Sequence, residues 1–178
     1  MGQPHDAIDF TDNDIQLLGN FPLSPRLTTL LFARNRISHI QPTVCKNVPF
    51  LQNLVLISNH FVELADLDAL AGFRRLTHLV LIDNPITKHE HYRFWVLWRC
   101  PSVRFLDYIK VKKAEREQAV EMFGTSAKPT ELASKVSGEQ VWAIDLKLLI
   151  LTLLRLWVSD HQRRNQRLPW DRASLGPG

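Results

Sequence analysis

Four short segments dominate what this chain can fold into: "AIDFTDNDIQLL", "LTTLLFARNRISHI", "LQNLVLISNHFVEL" and "LTHLVLIDNPITKH". Each runs apolar, any, apolar, two residues, Asn, any, apolar, and the asparagines are Asn13, Asn35, Asn59 and Asn84. Their separations are 22, 24 and 25 residues, a period at which each unit is too small to bury an apolar face alone and must stack on the next. One such match is weak, because apolar alternation is common. Four in phase, each with Asn at the same place, specify a solenoid.

The period and the Asn position match the leucine-rich repeat. The fold class expected is α/β: a leucine-rich repeat solenoid with a curved parallel sheet, short convex helices and loops, a C-terminal cap and a helical extension. Leu30 and Phe32, or Leu54 and Leu56, point inward from a short strand. The asparagine amide bonds backbone groups where the chain leaves the strand. Ile15, Ile37, Phe61 and Ile86 then cover the core from the far side. The return stretches carry Pro and Gly turn signals, and Asp66 to Phe73 is expected to form one or two helical turns with Asp66 as N-cap.

Residues 1–108 form the repeat domain with its cap, in which Tyr92, Trp95, Val96 and Arg99 fall at helical spacing before the strand-like "VRFLD". Residues 109–138 are a charged extension. There "KVKKAEREQAVEMF" reads as an exposed helix with a thin stripe of Val111, Ala114, Gln118, Ala119 and Met122, followed by a Ser/Thr/Pro-containing hinge and a short helix after Pro129. Residues 139–178 hold the apolar run Val141–Val158 and a basic tail. Asp145, Lys147 and Arg155 within that run argue against a membrane span. A helix buried on the core or a partner, a membrane-surface helix and an unstructured tail stay open.

With 45% apolar and 22% charged residues the chain has the composition of a folded globular protein. No secretory signal opens it, and the Met-Gly start lacks the rest of a myristoylation motif. Residues 1–87 carry six Lys/Arg against eight Asp/Glu and residues 88–128 nine against five, so a basic excess begins only in the second half and suits contact with phosphate. Cys45 and Cys100 lie far apart without CxxC spacing, as in a reducing compartment. His89 and His91 do not converge on one helix face, and Asp12 and Asp14 lack the rest of a calcium loop. With no phosphate loop and no nucleophile motif, neither an enzyme activity nor a cofactor is expected.

The open concave face is made of the residues between the inward ones: Asp9 and Thr11, then Leu31 and Ala33, Val55 and Ile57, Val80 and Ile82. Six apolar side chains in register are more than a soluble monomer leaves open without a partner. Three strands at about 4.8 Å span the width of one α-helix, so an amphipathic helix is the natural occupant. The chain's own C-terminal helix or apolar tail is the alternative.

The runs "DAIDFTDNDIQLLGNFPLSPRLTTLLFARNRI", "LIDNPITKHEHYRFWVLWRCPSVRFLDYIKVKKAERE" and "PTELASK" resemble the U2 small nuclear ribonucleoprotein A-prime family over about residues 5–138. The resemblance implies a non-catalytic nuclear scaffold for pre-mRNA splicing. Its implied partners are an RNA-recognition-motif protein of the B-double-prime type, U2 small nuclear RNA mainly through that protein, and other U2 particle proteins. No small-molecule substrate or membrane is implied. Carried over by position, Leu31, Ala33, Val55, Ile57, Val80 and Ile82 are partner contacts, with Asp9, Thr11, Thr29, Asn53 and His78 setting orientation. Arg34, Arg36, Lys110, Lys112 and Lys113 are the candidate phosphate neighbours. Both ends depart from the family: a further N-terminal repeat is expected over the first strand, and after about Gln140 the likeness stops, as in a misassigned or alternatively spliced transcript. A different class shares the fold, namely regulatory subunits of protein phosphatases and adaptors of cytoskeletal motors, but does not account for "KVKKAERE".

Overall fold

The computed structural model describes residues 6–125 and 128–136. The apolar segment Val141–Val158, the basic tail and Met1 to His5 lie outside the described residues, as do the readings made of them.

The strands are β1 (Ala7–Asp9), β2 (Leu17–Leu18), β3 (Thr29–Leu31), β4 (His39–Ile40), β5 (Asn53–Val55), β6 (His78–Val80), β7 (Phe105–Leu106), β8 (Ile109–Lys110), β9 (Gly124–Thr125) and β10 (Lys128–Pro129). The α-helices are α1 (Val44–Asn47), α2 (Tyr92–Arg99), α3 (Lys113–Phe123) and α4 (Glu131–Val136). One sheet runs β1-β3-β5-β6-β7-β8, parallel up to β7 and closed by the antiparallel β8. Its register aligns Ile8, Leu30, Leu54, Leu79 and Leu106, so the inward leucine of each repeat stacks on that of the next. Leu30, Leu54, Leu79 and Leu106 are fully buried, and Phe32, Leu56 and Leu81 follow them into the core. The solenoid expected from the period is therefore what forms.

Each inner asparagine ties its repeat to the preceding one. Asn59 Nδ2 donates to the carbonyls of Phe32 (2.8 Å) and Ile57 (3.2 Å), and its Oδ1 accepts from the Ile37 N–H at 2.9 Å. Asn35 spans Phe10 and Ile15, and Asn84 spans Leu56 and Phe61, in the same way. Buried amide groups need such partners, and a short amide supplies two donors and an acceptor at one point. Asn13 is exposed and donates only within its own turn, to Phe10 and Thr11. The residue before each asparagine, Asp12, Arg34, Ser58 and Asp83, has φ between 52° and 59°, which turns the chain out of the strand.

Two expectations need correction. The stretch after Phe61 is a 3₁₀ helix, Leu64–Gly72, with Glu63 and not Asp66 at the N-cap. Leu64, Leu67 and Leu70 are all buried, and a spacing of three matches a helix with three residues per turn. Asp66 sits at the third helical position, where its carboxylate accepts the Val62 and Glu63 N–H groups at 3.2 and 2.9 Å.

The second correction concerns α3, which is docked, not free-standing. Of the expected stripe, Ala119 is fully buried and Val111 and Met122 pack partly against the core, whereas Ala114 and Gln118 are exposed; Phe123, outside the stripe, is fully buried. Phe123 meets Trp95 edge-on with centroids 5.1 Å apart, and Arg93 bonds Glu115 at 2.7 Å. The aromatic anchor at the helix end adds the large buried side chain that the stripe lacks and holds the helix against the core. The stretch read as a hinge is drawn into a two-stranded antiparallel pair, β9–β10, and α4 follows Pro129 as expected, with Ala133 buried.

Candidate partner-binding face

Parallel register decides which side chains share the concave face. Thr29, Asn53, His78, Phe105 and Lys110 form one row. Asp9, Leu31, Val55 and Val80 form the next. Beyond it, the ladder continues with the N–H groups of Asp12, Arg34 and Ser58 bonding the carbonyls of Ala33, Ile57 and Ile82, which aligns Thr11, Ala33, Ile57 and Ile82. All eleven candidate groove residues therefore fall on three adjoining rows of one face.

Within the face the side chains differ. Leu31, Ala33, Val55, Ile57 and Ile82 are half-buried and present an apolar floor. Val80 is only 5% exposed, with the Asp107–Tyr108 turn set beside it by the register Leu79–Leu106, although it stands outside the core cluster that takes in Leu79 and Leu81. The polar row is pre-positioned. Asn53 Nδ2 donates to Thr29 Oγ1 at 2.9 Å, and the His78 ring stacks on Phe105 at 4.8 Å with an interplanar angle of 3°. At the first repeat, hydrogen bonding from Thr11 holds the Asp9 carboxyl below its ordinary range. Such a face has no paired acid and base; what it offers is apolar area flanked by fixed polar groups.

The strand-like "VRFLD" was read from the sequence, but the place of Phe105 on this face and the hairpin beyond it were not. Asp107 and Tyr108 both have positive φ (53° and 63°), the geometry of a two-residue hairpin turn, but an Asp-Tyr pair lacks the glycine that usually signals it. Asp107 accepts from the Leu81 N–H (2.7 Å) and the Tyr92 hydroxyl (2.9 Å), ending the parallel ladder. Burial beside that carboxylate pushes the Tyr92 phenol up. Neither α3 nor α4 covers the face in the described residues: α3 packs on α2, and α4 on α3.

The five candidate phosphate neighbours do not form one site. Arg34 pairs bidentately with Asp12, which holds that carboxyl below its usual range, and Arg36 forms an ion pair with Asp14 at 3.0 Å. Lys110, Lys112 and Lys113 lie at the opposite edge of the sheet and are exposed, with Lys113 reaching Glu117 at 3.5 Å.

Comparison with known proteins follows the same geometry. The leucine-rich repeat family profile matches residues 2–137. The U2 small nuclear ribonucleoprotein A' of Neurospora crassa is 68% identical over 135 residues, covering 76% of this chain and 54% of that protein. The human U2 small nuclear ribonucleoprotein A' is 48% identical over 118 residues, covering 66% and 46%. The chain thus spans about half the length of these curated relatives. Among solved structures, the Drosophila melanogaster SNF/U2A' complex matches with a TM-score of 0.65 and 39% identity, over 68% of this chain and 70% of that one. In sequence and in fold, this chain belongs to the leucine-rich repeat family, in its U2 small nuclear ribonucleoprotein A' branch.

Proposed function

We propose that the protein is a non-catalytic scaffold of the U2 ribonucleoprotein in the nucleus. In this reading the concave face receives a helix of an RNA-recognition-motif protein of the B-double-prime type and so supports that partner's hold on U2 small nuclear RNA in splicing. The observation that carries the reading is the in-register apolar floor of Leu31, Ala33, Val55, Ile57 and Ile82, as wide as one helix. The relative solved as a SNF/U2A' complex supports a protein partner. Lys110, Lys112 and Lys113 are the phosphate neighbours retained by this proposal, since Arg34 and Arg36 already face Asp12 and Asp14.

Val55→Asp tests the assignment, because Val55 is half-buried on the face while Leu54 beside it is fully buried. Capture of the RNA-recognition-motif protein should weaken at least tenfold, with the thermal midpoint nearly unchanged. Leu54→Ala should instead destabilise by about 2–5 kcal/mol. Equal unfolding by both variants would make the face part of the core. Capture of a phosphatase catalytic subunit or a tubulin-type partner, with no U2 RNA, would support the regulatory-subunit reading.

A further inference from the structure

The described residues include nine arginines, and five of them face a carboxylate: Arg26, Arg34, Arg36, Arg93 and Arg99 pair with Asp6, Asp12, Asp14, Glu115 and Asp68. The remaining four, Arg74, Arg75, Arg104 and Arg116, face none among the described residues, and all four line one surface hollow of about 500 Å³. Among the described residues no Asp or Glu lines it. Four guanidinium groups gathered without a counter-charge repel one another, which the fold tolerates most easily if an anion supplies the missing charge.

The hollow is also shaped by contacts that fix two of the four. Arg116 donates to the carbonyls of Pro101 (2.7 Å) and Val103, and the Arg75 guanidinium lies over the Phe50 ring at 4.4 Å. Arg74 and Arg104 are exposed and unpaired. Its position follows from the sheet. Gln52, Thr77 and Arg104, each bonded through its N–H to the carbonyl one strand back, immediately precede Asn53, His78 and Phe105 of the concave face. The Val111 N–H bonds the Arg104 carbonyl at 2.8 Å, which brings Lys110 and Lys112 alongside. An arginine fork binds phosphate oxygens in pairs, where a lysine offers a point charge.

We propose that this hollow is a phosphodiester-binding site through which the chain itself grips the RNA backbone, next to the face that holds the protein partner. The proposal rests on the ribonucleoprotein reading above. It adds a direct RNA contact that the concave face does not supply.

The test uses the complex of this chain, the RNA-recognition-motif protein and the terminal stem-loop of U2 small nuclear RNA, comparing wild type with the double variant Arg74→Gln/Arg104→Gln. Both side chains are exposed and unpaired, so folding should be unaffected. Loss of two phosphate contacts should lower the slope of log affinity against log salt by about 1.4–1.8. Between 50 and 200 mM salt that difference corresponds to about a tenfold change in relative affinity. Capture of the protein partner without RNA is measured in parallel. Failure of the wild type to capture it sinks the partner reading; normal capture with an unchanged salt slope in the variant sinks the arginine site alone. A phosphopeptide retained by the wild type and lost by the variant, with RNA affinity unaltered, would likewise overturn the proposal in favour of a protein ligand.

Discussion

Asn59 and Asn13 occupy the same place in the repeat and should respond oppositely to truncation. Asn59 is buried and satisfies three backbone groups across two repeats, so Asn59→Ala leaves them unpaired in the core, at a cost of about 3 kcal/mol in chemical denaturation. Asn13 bonds only its own exposed turn, and Asn13→Ala should cost less than about 1 kcal/mol. Equal losses would mean that the asparagine acts through the local turn and not through the bridge between repeats. The bridging role was legible in the sequence because a polar residue recurring in phase with buried apolar ones must find partners. The left-handed backbone just before it was not. Arg34 and Ser58 carry no signature of positive φ, and only the stacked ladder imposes it. Likewise the alternation that assigned Val80 to the groove is right about its face and silent about its exposure, which depends on a turn 27 residues later in the chain.

At the scale of elements, α3 shows how far periodicity reaches. A charged 11-residue helix with few apolar positions reads as solvent-facing. What docks it is the terminal Phe123 against Trp95 and Trp98, together with an ion pair to α2. Those partners lie more than a helix away in sequence, so no window within α3 reveals them. The pair makes the docking pH-dependent. Hydrogen bonding from Arg93, more than any other effect, holds the Glu115 carboxyl below its ordinary value near 4.5. A depressed folded-state value means that the stabilisation is fully present above the unfolded value and is lost as pH falls through the folded one. Both side chains are under a quarter exposed, so the pair should contribute about 1–2 kcal/mol at neutral pH. Glu115→Gln should therefore be less stable than wild type at pH 7, and the gap in urea midpoint should shrink steadily below pH 4.5. A gap that stays constant down to pH 3 would show that Glu115 acts through packing alone.

For the molecule as a whole, a stack of short repeats holds together through neighbouring contacts, and its two ends are unlike. At one edge β1 has β3 as its single strand partner among the described residues. Ile8, Phe10 and Ile15 are half-buried where their counterparts Leu30, Phe32 and Ile37 are buried, and they line a hollow of about 300 Å³. The ion pairs that join the first repeat to the second, Asp6–Arg26, Asp12–Arg34 and Asp14–Arg36, are more than half exposed and so contribute little and are screened by salt. At the cap the links are sheltered: the Arg99 guanidinium forms an ion pair with Asp68 at 2.9 Å and lies over the rings of Trp95 and Trp98. A gradient of stability along the solenoid follows. In native-state hydrogen exchange, the amides of Phe10 and Asp12, which bond Leu31 and Ala33, should be protected at least tenfold less than those of Leu56 and Ser58, which bond Val80 and Ile82. The difference should widen in 0.5 M salt, where screening removes the exposed pairs first and leaves the hydrophobic register of Leu54 and Leu79 untouched. Equal protection at both salt concentrations would mean that the repeats open as a single unit, with the aromatic stack of Phe10 on Phe32 at 4.9 Å joining the first repeat to the second as firmly as the leucine rows join the rest.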